Sequence, residues 1–158
     1  MDGAFDTRAF RNALGGFPTG VCVVTTATPD GQRVGITANS FASVSLDPPL
    51  VLWSPAKSSR RHEVYVEAKH FAIHILGKEQ GDIANGFVRE ANAFKDLDVA
   101  NNVHGVPLIE GCVARFECLT DALHDAGDHT LIIGAVQNFS TNDVDPLAFV
   151  KGRYAGLA

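Results

Sequence analysis

Cys112-Val113-Ala114-Arg115-Phe116-Glu117-Cys118-Leu119 is the stretch on which the fold turns. Cys112, Ala114, Phe116 and Cys118 alternate with Val113, Arg115, Glu117 and Leu119. Successive side chains of a strand point to opposite faces, so this period of two predicts a strand. Thr130 to Phe139 predicts its partner, and Gly127-Asp128-His129 reads as the tight connection between them. Two neighbouring strands joined by so short a turn must run antiparallel.

The same grammar recurs upstream. Val21-Cys22-Val23-Val24-Thr25-Thr26 is rich in β-branched residues, Pro29-Asp30-Gly31 is a turn, and Arg33 to Ala38 predicts the return strand. Asn39-Ser40-Phe41-Ala42-Ser43-Val44-Ser45 is too small and polar for core and reads as a loop, closed by Pro48-Pro49 before the buried strand Leu50-Val51-Leu52-Trp53. Phe71 to Leu76 predicts another strand, and Leu147 to Val150 a last one before Gly152-Arg153-Tyr154. Three helices interrupt this series. Asp6 or Thr7 caps the first, a packing helix with Phe10, Ala13 and Leu14 on one face and Gly15-Gly16 at its end. Lys57-Ser58-Ser59 precedes a second, from Arg60 to about Glu67, with serine as its cap. Gln80 to Glu90 forms the third, with Ile83, Ala84 and Phe87 on one face. Six or seven strands with tight turns and short helices predict a mainly β chain, an antiparallel barrel with helical insertions. No repeat or linker divides it, so residues 1–158 are expected to form a single domain.

Composition narrows the function. With 13 Lys and Arg against 18 Asp and Glu, the net charge is −5, and Arg60-Arg61 is a lone basic pair. Nucleic-acid binding depends on clustered cations facing phosphates, so such a partner is not expected. No apolar run reaches the roughly 18 residues of a membrane span, and Met1-Asp2-Gly3-Ala4-Phe5 lacks a signal core, which leads us to expect a cytoplasmic location and no membrane partner. Cys22, Cys112 and Cys118 are odd in number and form no Cys-x-x-Cys pair, so we read them as reduced packing residues.

Several familiar chemistries find no support. Gly15-Gly16 and Gly20 follow a helix and miss the dinucleotide-loop spacing. His70 and His74 would stand about 13 Å apart on one face of a strand, too far for one metal, and no metal site is expected. No Gly-x-Ser-x-Gly elbow is present. The Thr37–Ser45 segment carries more weight. Its small side chains allow close approach of a flat heteroaromatic ring, and Asn39 and Ser40 offer donors to a polar edge, although a serine-rich turn satisfying its own backbone explains the same residues. Lys57-Ser58-Ser59 is open to the same two readings, a helix cap or a phosphate seat.

Taken as an ordered set, Phe17-Pro18-Thr19-Gly20-Val21, Gly35-Ile36-Thr37-Ala38-Asn39-Ser40-Phe41 and Ser43-Val44-Ser45-Leu46-Asp47-Pro48-Pro49-Leu50 resemble the short-chain flavin reductases, the reductase components of two-component flavin-dependent monooxygenases. The resemblance continues through Phe71 to Leu76, Gly127-Asp128-His129 and Gly152-Arg153-Tyr154, and so spans nearly the whole chain. It implies an antiparallel split β-barrel, usually a homodimer, with FMN or FAD between barrel and dimer surface. It further implies that Thr37, Ala38, Asn39 and Ser40 line the flavin ring and ribityl chain, with Ser43, Val44 and Ser45 beside them. Lys57, Ser58 and Ser59 would receive phosphate, Phe87 would touch the adenine half or the ring edge, and His129 and Tyr154 would stand near a nicotinamide.

The reaction implied is hydride transfer from a reduced nicotinamide to the flavin, which then passes to a monooxygenase partner. NADH is favoured over NADPH because no arginine cluster awaits a ribose phosphate. The alternative is a non-catalytic flavin-binding or electron-carrier protein of the same fold. Oxidation of a pyridoxine phosphate would call for a second basic phosphate site, which the sequence does not offer.

Overall fold

The structure is a computed structural model and describes residues 3–157. In chain order the elements are α1 (Thr7–Leu14), β1 (Thr19–Gly20), β2 (Cys22–Ala27), β3 (Arg33–Ala38), β4 (Ala42–Leu46), β5 (Pro49–Trp53) and α2 (His62–Glu67). There follow β6 (His70–Ile75), α3 (Gly81–Arg89), β7 (Val99–Asn101), β8 (Pro107–Ile109), β9 (Ala114–Ala126), β10 (His129–Thr141), β11 (Ala148–Val150) and β12 (Arg153–Ala155).

Seven strands form one antiparallel sheet in the order β3-β2-β6-β9-β10-β5-β4. Its edge strands β3 and β4 are consecutive in sequence, separated only by Asn39-Ser40-Phe41. So short a link brings the edges together, and the sheet must curl into a barrel. Among the described residues no ladder joins β3 to β4, which leaves the barrel split along a seam. A small sheet β1-β11-β12 and the β7–β8 pair lie outside it.

Both faces of β2 are buried, which explains why its sequence shows no apolar–polar alternation; its buried threonines Thr25 and Thr26 donate to the Pro107 and His70 carbonyls. Cys22 and Val24 join Trp53, Tyr65, Phe71 and Ile132 in one cluster, while Val21 and Val23 join Leu76, Ala84, Phe87 and Ile109 in a second. Each large side chain removed from water contributes about 1.5–3 kcal/mol. Trp53 and Tyr65 meet edge to face at 4.9 Å, and the Tyr65 hydroxyl donates to the Val24 carbonyl at 2.6 Å. Gly134 lies where a Cβ would stand 2.7 Å from the Phe71 ring, so only glycine lets β10 pass over it.

The three cysteines are free and buried, and burial pushes their thiols up to about 12, 11 and 12 for Cys22, Cys112 and Cys118. They stay protonated and act as packing groups. His74 is also structural. It is fully buried, its Nε2 accepts from the Ile109 amide at 3.0 Å, and its Nδ1 therefore carries the proton donated to the Val23 carbonyl at 3.0 Å.

Several sequence expectations need correction. Ala42 to Leu46 is a strand, not a loop, because an exposed edge strand needs no apolar alternation and draws its order from the β5 ladder. The short strands β1, β7, β8 and β12 escaped the pattern, since two or three residues carry no period. Asp6 caps α1, accepting from the Arg8 and Ala9 amides at 3.0 Å. Yet α1 buries nothing in this chain, and Phe10 and Leu14 are 50% and 58% exposed. The second helix starts at His62 with Arg61 at the cap and no side-chain capping bond, so serine is not its cap. The Ser59 hydroxyl instead accepts from the Arg61 amide at 3.1 Å.

Candidate functional site

The seam between β3 and β4 holds the residues first singled out. Their hydroxyls turn out to be occupied by the frame. Thr37 donates to the Ala84 carbonyl of α3 at 2.6 Å, and Ser40 accepts from the Ser54 amide at 3.0 Å and donates to its carbonyl at 3.3 Å. Ala38 pairs with Cys22 and packs on the core. Phe41 stacks on Phe116 at 5.7 Å. These contacts pin the link at both ends and leave Asn39 exposed in a cleft of about 630 Å³ beside Leu14, Phe17, Phe149 and Gly152. On β4 the register skips between Ser43 and Ser45, so Val44 is an extra, bulged residue, 47% exposed. Bulges re-aim side chains in this way at the rims of barrels.

Lys57, Ser58 and Ser59 follow β5, and the segment before them lies against the start of β10. The Lys57 amide donates to the Asp128 carbonyl at 2.8 Å, Ala56 pairs with His129, and the Thr130 amide donates to the Pro55 carbonyl at 3.1 Å. The sequence-predicted phosphate residues and the sequence-predicted nicotinamide residue are thus locked together by main-chain bonds. His129 is half-exposed, with Nδ1 2.7 Å from the Asp128 carboxylate. That hydrogen bond holds the Asp128 carboxyl below its ordinary range. Lys57 pairs with Asp125 on β9.

A second cleft, about 340 Å³, lies between the Ser59–Arg61 turn and α3 and is lined by Ile36, Thr37, Ser59, Arg60, Arg61, Phe87 and Val88. Arg60 and Arg61 were set aside as a lone basic pair, yet with Lys57 they place three cations within five residues of a chain whose net charge is −5. Their signal was local charge contrast. Arg61 is already engaged, its Nη1 donating to the carbonyls of Gly35 at 3.1 Å and Phe87 at 2.5 Å. Arg60 and Ser58 are exposed. Cationic groups and hydroxyls without apolar cover suit a phosphate, which passes the chemical test for the tail of a flavin nucleotide.

Phe87 also borders this second cleft, but its side chain is fully buried against Phe94 and Gly35, and its carbonyl accepts from Arg61. Tyr154 is carried by a different sheet from His129, on β12, where its hydroxyl donates to the Asn85 side chain at 3.0 Å and its ring meets Phe149. It adjoins the Asn39 cleft through Gly152 and Phe149.

Comparison with known proteins decides the ancestry. The family model described as flavin reductase like domain matches residues 14–158. The chain belongs to the flavin reductase-like family. An FMN reductase (NADH) of Agrobacterium fabrum is 57% identical over 154 residues, covering 98% of this chain and 88% of that protein. The reductase component of a flavin-dependent trigonelline monooxygenase from Acinetobacter baylyi is 46% identical, covering 98% of this chain but 50% of its own length. The NADH:FAD oxidoreductase SgcE6 of Streptomyces globisporus, solved with NAD and FAD fragments, superposes with a TM-score of 0.91 at 36% identity, covering 97% of this chain and 93% of that one. The superposition shows that the chain shares the split-barrel fold of solved flavin reductases.

Proposed function

We propose that the chain is an NADH-dependent flavin reductase that reduces FMN or FAD and supplies the reduced flavin to a flavin-dependent monooxygenase. Family membership supports the class of reaction. The geometric observation that carries the reading is the coupling of Pro55-Ala56-Lys57 to Asp128-His129-Thr130, which sets a phosphate-ready turn and an exposed imidazole in one rigid frame.

When bound, the nicotinamide supplies the hydride and the flavin ring accepts it. The protein's own part is to hold the two rings with the reacting atoms roughly 3–3.5 Å apart, a proximity effect worth several kcal/mol. In this reading Lys57, Ser58, Ser59 and Arg60 bind the flavin phosphate, and Asn39 offers hydrogen bonds to the ring edge. Thr37 and Ser40 act indirectly, holding the seam through Ala84 and Ser54. His129 orients the nicotinamide, with Asp128 fixing the ring from Nδ1. Tyr154 stands behind Phe149, which lines the Asn39 cleft.

A homodimer is part of the same proposal, because the apolar face of α1 and the clefts at the barrel edge stand open in a single chain. A cytoplasmic location is part of the proposal too; no helix among the described residues is long and apolar enough to cross a membrane. The test is NADH consumption by purified protein with and without FMN or FAD. A rate that appears only with flavin supports the proposal, and folded protein giving no rate above the uncatalysed background with either flavin overturns it.

A further inference from the structure

The turn at Lys57–Arg61 is closed at two ends on the same short piece of β10. At its start the closure is main-chain, through the Ala56–His129 pairing and the Lys57 bond to Asp128. At its end the closure is a side chain. His62, the first residue of α2, folds back so that its Nε2 stands 2.8 Å from the Thr130 hydroxyl, while its Nδ1 stands 3.2 Å from the Glu63 carboxylate. An ionised carboxylate only accepts, so Nδ1 carries a proton, and when the ring is neutral Nε2 accepts from the Thr130 hydroxyl. The His62 side chain is 11% exposed and Thr130 is buried, whereas Glu63 lies in solvent. The bond at Nε2 is therefore the shielded one of the pair, and the one that holds.

We infer that His62 is a positioning residue for the flavin phosphate: it clasps the Lys57–Arg61 turn onto Thr130 and so holds Ser58, Ser59 and Arg60 at a fixed place beside His129. This rests on the reading of Lys57–Ser59 as the phosphate seat. Without the clasp the end of the turn loses its tie to β10 and is held only through the Arg61 side chain on the Gly35 and Phe87 carbonyls. Its cations and hydroxyls then pay an ordering cost on binding that the intact protein has already met. His129 is kept in place by main-chain bonds and does not depend on the clasp.

Titration with FMN and with riboflavin, which lacks the phosphate, tests this directly. His62→Ala and Thr130→Val each weaken FMN binding about tenfold, the effect of one lost hydrogen bond, and leave riboflavin binding unchanged. His62→Gln and Thr130→Ser, which keep an acceptor and a hydroxyl respectively, restore most of the FMN affinity. The Ser58→Ala/Ser59→Ala variant serves as the control for the seat. If that control loses FMN selectively while His62→Ala does not, the clasp is overturned and the seat stands. If the control and His62→Ala both bind FMN normally, seat and clasp fall together. Equal losses of FMN and riboflavin in His62→Ala reduce His62 to a general structural residue and also overturn the inference.

Discussion

The Phe87 ring lies directly on Gly35: a Cβ at Gly35 would stand 2.5 Å from the ring edge. This contact sets the distance between β3 and α3, which Arg61 reinforces by bonding to the carbonyls of both residues. Gly35→Ala must push the helix outward or force the ring off its rotamer. Overpacking of this kind costs about 1–3 kcal/mol, so the melting temperature should fall by several degrees. Thermal denaturation of the folded variant checks this, and an unchanged melting temperature would show that α3 moves freely.

Asn39 is the exposed donor of the seam, while Thr37 and Ser40 are committed to main-chain partners. Asn39→Leu should weaken flavin binding roughly tenfold, the loss expected for one buried hydrogen bond of about 1.5 kcal/mol. Ser40→Ala should act differently, loosening the Ser54 anchor and lowering stability along with affinity. Fluorescence titration beside a melting curve separates the two patterns.

His129→Ala should raise the NADH Michaelis constant or slow hydride transfer, leaving flavin affinity nearly intact. The strand start that carries it is held by main-chain bonds at Asp128 and Thr130, which the substitution keeps. Stopped-flow reduction of bound flavin is the measurement. Wild-type NADH kinetics, or a loss confined to flavin binding, would remove His129 from the nicotinamide side.

His74 has its pKa lowered to about 4 by burial, against 6.5 in the unfolded chain. Between these values the unfolded state binds more protons, so its contribution to stability is full above about pH 6.5 and lost as pH falls towards 4. The slope integrates to on the order of 3 kcal/mol. His70, stacked on His104 at 3.7 Å, is shifted in the same direction, first by desolvation and then by that neighbour. Urea midpoints at pH 7 and pH 4.5 should differ accordingly. In His74→Gln that difference should shrink even though the variant is less stable throughout.

Phe10 and Leu14 form the outward apolar face of α1. Phe10→Asp/Leu14→Asp should shift a dimer towards monomer in light scattering. A wild-type chain that is monomeric at every concentration, while reducing flavin, would refute the dimer itself.

The β9–β10 pair was legible because β9 runs long enough to show a period of two, and the β2–β3 hairpin because β2 is rich in β-branched residues; the turns of both carry glycine. The return strand Arg33–Ala38 and the face of α3 bearing Ala84 and Phe87 were read at the right residues. That face already implied a buried Phe87, which packs on Gly35 and Phe94 at the border of the second cleft. Hydroxyl roles were not legible. Thr37 meets Ala84 across 47 positions and Ser40 meets Ser54 across 14, so local composition could not reveal which serines and threonines were free. Nor could it reveal the clasp, since His62 and Thr130 are 68 positions apart. The helix at α1 was legible as amphipathic, but its apolar stripe could not say whether the covering surface belongs to the same chain.

The seam has a mechanical consequence. Opening an ordinary barrel means peeling apart a ladder of hydrogen bonds, whereas parting β3 from β4 means rotating a few backbone dihedrals in Asn39-Ser40-Phe41 against the Ser54 anchor and the Phe116 stack. In a reductase whose product must leave to be useful, the hinge would then sit in the link proposed to meet the flavin ring. On that proposal grip and release share one place, and a substitution that tightens the link should lengthen the residence time of the reduced flavin as surely as it deepens its binding.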